Sequence, residues 1–172
     1  LEFEKDVWDL TDYLQSKADR SSKRLYFSRF GSAKGSIAEP LGKAFSDFAK
    51  SYIRYTYAMR PAIVLGSRLI ALQAIELALD KTQGETDPTR ITAHTLNFAA
   101  QLIVDRFGAS YSYQAGRELA KLIGFMRKKR MLSVSIKWKN SIPKPPHITR
   151  IGPDFEARRD RRLPSVEALK AI

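Results

Sequence analysis

Apolar residues recur at helical spacing along the middle of the chain. Four stretches show apolar residues three or four positions apart, and residues with that spacing fall on one face of an α-helix. Each stretch is therefore predicted to be an amphipathic helix. The predicted helices are helix A over residues 41–58, helix B over 61–80, helix C ending near residue 108, and helix D over 110–126.

The apolar stripes of these four helices predict the fold class. An isolated amphipathic helix cannot bury its stripe, so the helices must pack against one another. We expect an all-α protein built on a four-helix bundle. The stripes consist of Leu41, Phe45, Phe48 and Tyr52 on helix A; Leu65, Leu69, Leu72 and Leu79 on helix B; Leu96, Ala99, Ile103 and Phe107 on helix C; and Tyr111, Ala115, Leu119, Leu122 and Met126 on helix D.

Polar residues and glycine mark the ends of the predicted helices. Gly84 lies in a polar stretch that predicts a loop after helix B. Either Asp87, which precedes a proline, or Thr92 can cap the N-terminus of helix C. Either Ser110 or Ser112 can do the same for helix D.

The flanks of the helical region have a different character. Residues 1–40 mix aromatic residues with glycine and proline and show no sustained helical period, which predicts an N-terminal arm with short extended pieces. The helical domain is expected to cover residues 41–150. Within it, residues 133–139 alternate small or polar with larger apolar side chains and predict an extended segment. Residues 151–172, which are rich in arginine, are expected to be a linker.

Composition narrows the class of partner. The chain has 172 residues, is 44% hydrophobic and carries a formal net charge of +12. Such a surplus favours a polyanionic partner, with nucleic acid ahead of an anionic membrane surface. No apolar run is long enough to span a bilayer, and the acidic start is unlike a signal peptide. The expected location is therefore the cytoplasm.

The residue types that bind metals are scarce. The sequence contains no cysteine, and its only histidines are His94 and His147. Disulfides and thiolate metal sites are excluded, and we expect neither a metal nor another cofactor. Glycine-rich phosphate loops, nucleophile elbows and HExxH pairs are also missing from the sequence, so no catalytic residue is predicted.

The positive charge is concentrated late in the chain. No acidic residue lies between Glu118 and Asp154, while nine lysines and arginines do. A polar face of helix D lies opposite its apolar stripe. This face predicts contact with nucleic acid, since its side chains are hydrogen-bond donors suited to phosphates and base edges; a merely solvated face is the alternative. It contains Ser110, Tyr113, Gln114, Arg117, Lys121 and Lys128.

Several segments resemble one known family in the same order along the chain. Residues 41–53 (LGKAFSDFAKSYI) and 60–72, which begin with Arg-Pro, resemble the first two helices of its DNA-binding domain. Residues 87–103, with ITA at 91–93, and residues 110–126 resemble the third and fourth. Residues 161–169 (RRLPSVEAL) resemble the linker that opens its catalytic domain. The family is that of the tyrosine-type site-specific recombinases and phage integrases.

The beginning of the chain carries a finer resemblance. The segments DVWDL at residues 6–10 and LYFSRF at residues 25–30 resemble the N-terminal arm of a transposon-associated branch of that family. Within this framework residues 1–40 are the arm, 41–150 the core-binding domain, and 151–172 the linker and the start of a catalytic domain that the fragment lacks.

The resemblance implies a fold, a role and partners. The fold would be a SAM-like four-helix core-binding domain, half of a C-shaped clamp around duplex DNA, with strand cleavage left to the catalytic domain. The partners would be recombination-site DNA and other recombinase protomers, with no small-molecule substrate. Together with the basic region it predicts these DNA-binding residues: Arg60, Ser67, Arg68, Ser110, Tyr113, Gln114, Arg117, Lys121, Arg127, Lys128, Lys129, Arg130, Lys137 and Lys139.

A second class of function fits the same composition. A basic helical module could bind DNA or RNA as an adaptor with no enzyme attached to it. A following region with an Arg, an HxxR motif and a late Tyr would favour the recombinase, and its absence would favour the adaptor.

Overall fold

Helices make up most of the described chain, together with one short antiparallel sheet. The computed structural model describes residues 2–10, 24–31, 39–59 and 65–146. The prediction of a helical bundle is confirmed at this level, with a two-stranded sheet added to it. The elements are β1 (Val7–Asp9), β2 (Arg24–Tyr26), α1 (Lys43–Met59), α2 (Leu65–Gln83), a 3₁₀ turn (Pro88–Arg90), α3 (Ala93–Arg106) and α4 (Ala109–Lys128).

The apolar stripes of α1, α3 and α4 form the core as predicted. Phe45, Leu96, Ile103, Leu119 and Met126 are fully buried in one hydrophobic cluster. Aromatic contacts join α1 to α4 directly, since the rings of Tyr52 and Phe125 lie 5.0 Å apart. Burial raises the pKa of Tyr52 to about 12, so this hydroxyl stays protonated at neutral pH and serves packing.

Helix α2 differs from the amphipathic helix that its leucines predict. Its apolar face is buried, but so are polar residues around the rest of the helix, including Ser67, Arg68, Gln73 and Glu76. The other helices and strand β2 pack against it, which makes it the central helix of the bundle. Even so, neither α2 nor any other helix in the described ranges is long and apolar enough to cross a membrane.

The two predicted caps before α3 are both used. The side chain of Asp87 accepts a hydrogen bond from the Thr89 amide (2.8 Å) and caps the 3₁₀ turn. Thr92 then caps α3 in a reciprocal capping box with Thr95. The two candidates therefore serve two consecutive elements.

The predicted serine cap of α4 is wrong. Gly108 occupies the N-cap position and offers no side chain. The hydroxyl of Ser112 instead donates to the carbonyl oxygens of Ile103 (3.3 Å) and Phe107 (3.0 Å). It therefore satisfies the C-terminal end of α3, which lies beside the start of α4.

The described part of the N-terminal arm packs on the helices. Strands β1 and β2 are antiparallel, with Trp8 opposite Leu25. Both side chains are buried in the same hydrophobic cluster as the helices, and Trp8 lies edge-on to Phe27 with ring centroids 4.9 Å apart. The sheet is also tied to the centre of the bundle, because Gln73 Nε2 donates to the carbonyl oxygen of Tyr26 (2.9 Å).

A buried carboxylate fastens this N-terminal segment to α2. Glu76 is fully buried; its Oε1 accepts from the Gly42 amide (3.2 Å) and lies 3.7 Å from Arg29 Nε. Arg29 also contacts Asp80 and Glu39, at 3.1 Å each. Oε2 of Glu76 has no hydrogen-bond partner among the described residues. Desolvation raises the pKa of this carboxyl above that of an ordinary glutamate.

Replacing Glu76 should change how stability depends on pH. Because the folded state raises this pKa, the carboxyl favours folding at low pH and that contribution is lost as pH rises through the raised value. Glu76→Gln keeps an acceptor for Gly42 and removes the charge. The difference in unfolding free energy between variant and wild type should therefore shift in the variant's favour between about pH 4 and about pH 7, by about 1.4 kcal/mol for each unit of pKa elevation.

Urea titrations at several pH values measure this difference. Glu39→Gln is the matched control, because it removes an exposed carboxylate that contacts the same arginine. A Glu76→Gln protein whose stability follows pH in parallel with wild type would contradict the assignment.

Candidate nucleic-acid interface

The exposed face of α4 carries cations in a narrow stripe. At 100° per residue, Arg117, Lys121 and Lys128 fall within about 40° of one another and span about 16 Å along the helix axis. All three side chains are exposed, as is Gln114 on the same face. The packing of Leu119 and Met126 on the opposite face fixes the orientation of the stripe.

The C-terminal end of α4 adds four consecutive cations at residues 127–130. The amide of Arg130 donates to the carbonyl of Arg127 (3.1 Å) and the amide of Met131 to that of Met126 (2.9 Å), the two bonds of a Schellman motif. Arg130 occupies the left-handed position of this motif with φ of 55°. Glycine is the usual residue there, so the arginine is held at a conformational cost.

Residues 131–146, which we call the strap, fold back over α3 and α4. The Ser133 amide donates to the Thr89 carbonyl (3.0 Å), and Trp138 Nε1 donates to Asn97 Oδ1 of α3 (2.8 Å). The side chains of Ile136 and Ile142 are buried. The strap contains no strand among the described residues, and it is held by the backbone bond of Ser133 as well as by its side chains.

The strap brings two further lysines to the surface of α4. Lys137 and Lys139 are exposed on either side of half-buried Trp138. Their neighbour Asn140 lies against Gly116 of α4, where an added Cβ would be 2.6 Å from Asn140 Oδ1. Gly116 adjoins Arg117, so the strap passes beside α4 next to the cation stripe. We group the exposed cations of α4, of its C-terminal end and of the strap as the basic surface: Arg117, Lys121, Arg127, Lys128, Lys129, Arg130, Lys137 and Lys139.

The basic surface differs from the rest of the described chain in its electrostatics. Elsewhere many cations face a carboxylate, as Lys50 does with Asp6 (3.1 Å) and Arg24 with Asp9 (3.2 Å). On the basic surface only Lys121 has an ion pair among the described residues, with Glu118. The other cations of this surface have no carboxylate partner among the described residues, so a polyanion would relieve their mutual repulsion.

Ser67 and Arg68 were predicted to contact DNA, but the structure buries both residues. Arg68 Nε donates to Glu118 Oε2 (2.9 Å), and Arg68 Nη1 donates to Thr56 Oγ1 (2.8 Å). This network joins α1, α2 and α4, and it leaves only 10% of the Arg68 side chain exposed. Ser67 is only 2% exposed. A helical pattern places both residues beside a surface, but the central position of α2 encloses them.

The remaining predicted residues divide by exposure. Ser110 and Tyr113, near the start of α4, are half-buried. Arg60 lies outside the described residues. Gln114 and the eight cations of the basic surface are exposed on α4, at its C-terminal end and on the strap.

Two uncharged residues, Gly116 and Tyr55, help to shape this surface and were not predicted from the sequence. Gly116 admits the strap, and Tyr55 of α1 lies beneath Lys129, whose Nζ is 5.5 Å from the ring centroid. A glycine inside a helical pattern is a signal of close packing, so Gly116 could have been noticed. The contact between Tyr55 and Lys129 joins residues far apart in sequence and has no local signal.

Neither a search for metal-binding groups nor a comparison with known proteins assigns a function to this site. The described residues contain no group of three His, Cys, Asp or Glu side chains arranged to hold a metal ion. No protein-family model, curated protein or solved structure matches the chain.

The strain at Arg130 can be tested by substitution. Arg130→Gly should raise the free energy of unfolding by about 1 kcal/mol, because glycine adopts a positive φ without strain. Lys129→Gly is the matched control, because it also removes one positive charge but at the adjacent residue, whose φ is −89°. That change should lower stability by up to about 1 kcal/mol.

Chemical denaturation of both variants gives the comparison. Equal destabilisation by the two glycines would show that Arg130 is not strained.

Proposed function

We propose that this chain binds duplex DNA through the basic surface, as the core-binding region of a tyrosine-type recombinase. The observation that carries the DNA-binding proposal is the set of seven exposed cations on α4 and the strap that form no ion pair with a described residue. Phosphate groups are the natural counterions of such a surface, and binding them releases the cations condensed on DNA.

The shape of the surface suits a duplex. A helix with its side chains is about 10–12 Å across, and the major groove of B-form DNA is about 12 Å wide. Helix α4 presents Gln114, Arg117 and Lys121 on its exposed face, side chains that can donate to base edges. The cations at residues 127–130 and on the strap would flank them on phosphates, which position the protein without reading sequence.

The recombinase assignment rests on the ordered resemblance of the sequence segments. It is supported by the helical architecture, in which four helices follow one another at the positions expected for the core-binding domain. In this proposal the helices form the SAM-like half of a clamp around recombination-site DNA, other protomers bind the same site, and strand cleavage belongs to a separate catalytic domain.

The strength of DNA binding should depend steeply on salt. If five or six phosphates are engaged, a plot of log K against log salt for a mixed-sequence duplex of about 30 base pairs should slope at roughly −5. Arg127→Gln and Lys128→Gln should each make the slope shallower by about one, because both residues are assigned to phosphates. Fluorescence anisotropy at several salt concentrations measures this slope.

Arg54→Gln serves as the control, since this exposed arginine lies on α1 outside the basic surface. A loss of affinity in the Arg54 variant with unchanged binding by the two α4 variants would mean that another face of the bundle holds the DNA.

The chain alone should leave DNA uncut. Incubation with supercoiled plasmid is expected to retard the plasmid on a gel without nicking it or forming covalent adducts. Nicking that copurifies with the protein and is lost in a variant of the chain would contradict the assignment of cleavage to another domain.

A further inference from the structure

We propose that the contact between Gly116 and Asn140 positions the strap lysines on the basic surface, so that these two uncharged residues set part of the DNA affinity. The predicted effect on DNA affinity rests on the proposed function. The contact itself is a property of the free protein.

The fit between the two residues is tight. A Cβ at Gly116 would lie 2.6, 2.7 and 2.9 Å from Oδ1, Nδ2 and Cγ of Asn140. The whole amide group therefore occupies the space of a methyl, and rotation of its outer atoms alone cannot clear it. Any side chain at position 116 therefore forces the side chain of Asn140 out of its place against α4.

Displacing Asn140 would disturb the strap on both sides. Asn140 Oδ1 accepts a hydrogen bond from the Ile142 amide (3.1 Å), which turns the chain so that Ile142 is buried. On the other side, Trp138 is held to α3 by its bond with Asn97. Lys139 lies between these two anchors, and Lys137 lies directly before them. Their placement therefore depends on the anchors, since neither lysine has an ion pair among the described residues.

A second glycine in the same helix supplies a matched control. Gly124 is exposed on α4, and a Cβ there would meet nothing within 4 Å. Gly116→Ala and Gly124→Ala make the same chemical change and bring the same gain in helix propensity. Only the first collides with the strap.

The first experiment uses the free protein. Trypsin cleavage after Lys137 and Lys139, followed by mass spectrometry, should be severalfold faster in Gly116→Ala than in wild type or Gly124→Ala. Asn97→Ala, which removes the Trp138 anchor, should act in the same direction. Unchanged cleavage in Gly116→Ala would overturn the proposed contact, whatever the protein binds.

The second experiment measures the salt slope on a mixed-sequence duplex of about 30 base pairs. Gly116→Ala should make the slope shallower by about one to two, as expected when two lysines leave phosphate contacts, and Gly124→Ala should not. In a Lys137→Gln/Lys139→Gln background, Gly116→Ala should have no further effect, because both changes act through the same lysines.

The outcomes separate the two proposals. Faster cleavage with no DNA binding by any form of the protein would refute the proposed function and leave the contact standing. DNA binding with a wild-type slope in Gly116→Ala would refute the positioning role alone.

Discussion

The burial of α2 on all sides constrains the rest of the described structure. A helix enclosed in this way must find partners for its polar side chains, because a buried polar group without one is costly. Arg68 is bonded to Glu118 on α4 and Thr56 on α1, and Gln73 to the backbone of β2. Arg68 and Gln73 therefore join α2 to three different neighbours, α4, α1 and β2. The N-terminal segment and the outer helices are oriented by these bonds as well as by apolar packing.

These internal pairs also affect the charge of the surface. Glu76 and Glu118 are carboxylates used in or near the core, and the stretch after Glu118 contains only cations among its charged residues up to Asp154. Among the described residues only Lys121 of the basic surface has a carboxylate partner, so the repulsion between the other cations disfavours the folded state. Arg130 adds backbone strain at the same place. Local violations of this kind are typical of functional surfaces, where binding is favoured over stability.

The spacing of apolar residues within a single helix predicted the fold well. Side-chain contacts between different helices could not be predicted from the sequence. The spacing of Leu96 and Ile103 is enough to orient α3, because one face of that helix is buried and the other is not. The same reasoning fails for Arg68, whose partner lies 50 residues away. It fails also for Ser112, which bonds to the preceding helix. The exposed cations of α4 were predicted because they oppose an apolar stripe, whereas the anchoring of the strap depends on pairings across long separations.

The cations of the basic surface are unequal for a physical reason. Lys121 shares the carboxylate of Glu118 with Arg68, so a phosphate that approaches Lys121 must compete with an existing partner. Substitution of Lys121 would still leave Glu118 with an ion-pair partner, because the buried Arg68 remains bonded to it. Arg117 has no carboxylate partner among the described residues and gains its full interaction when a phosphate or base arrives. The free energy of binding should therefore depend more on Arg117 than on Lys121, although both lie on the same face of α4.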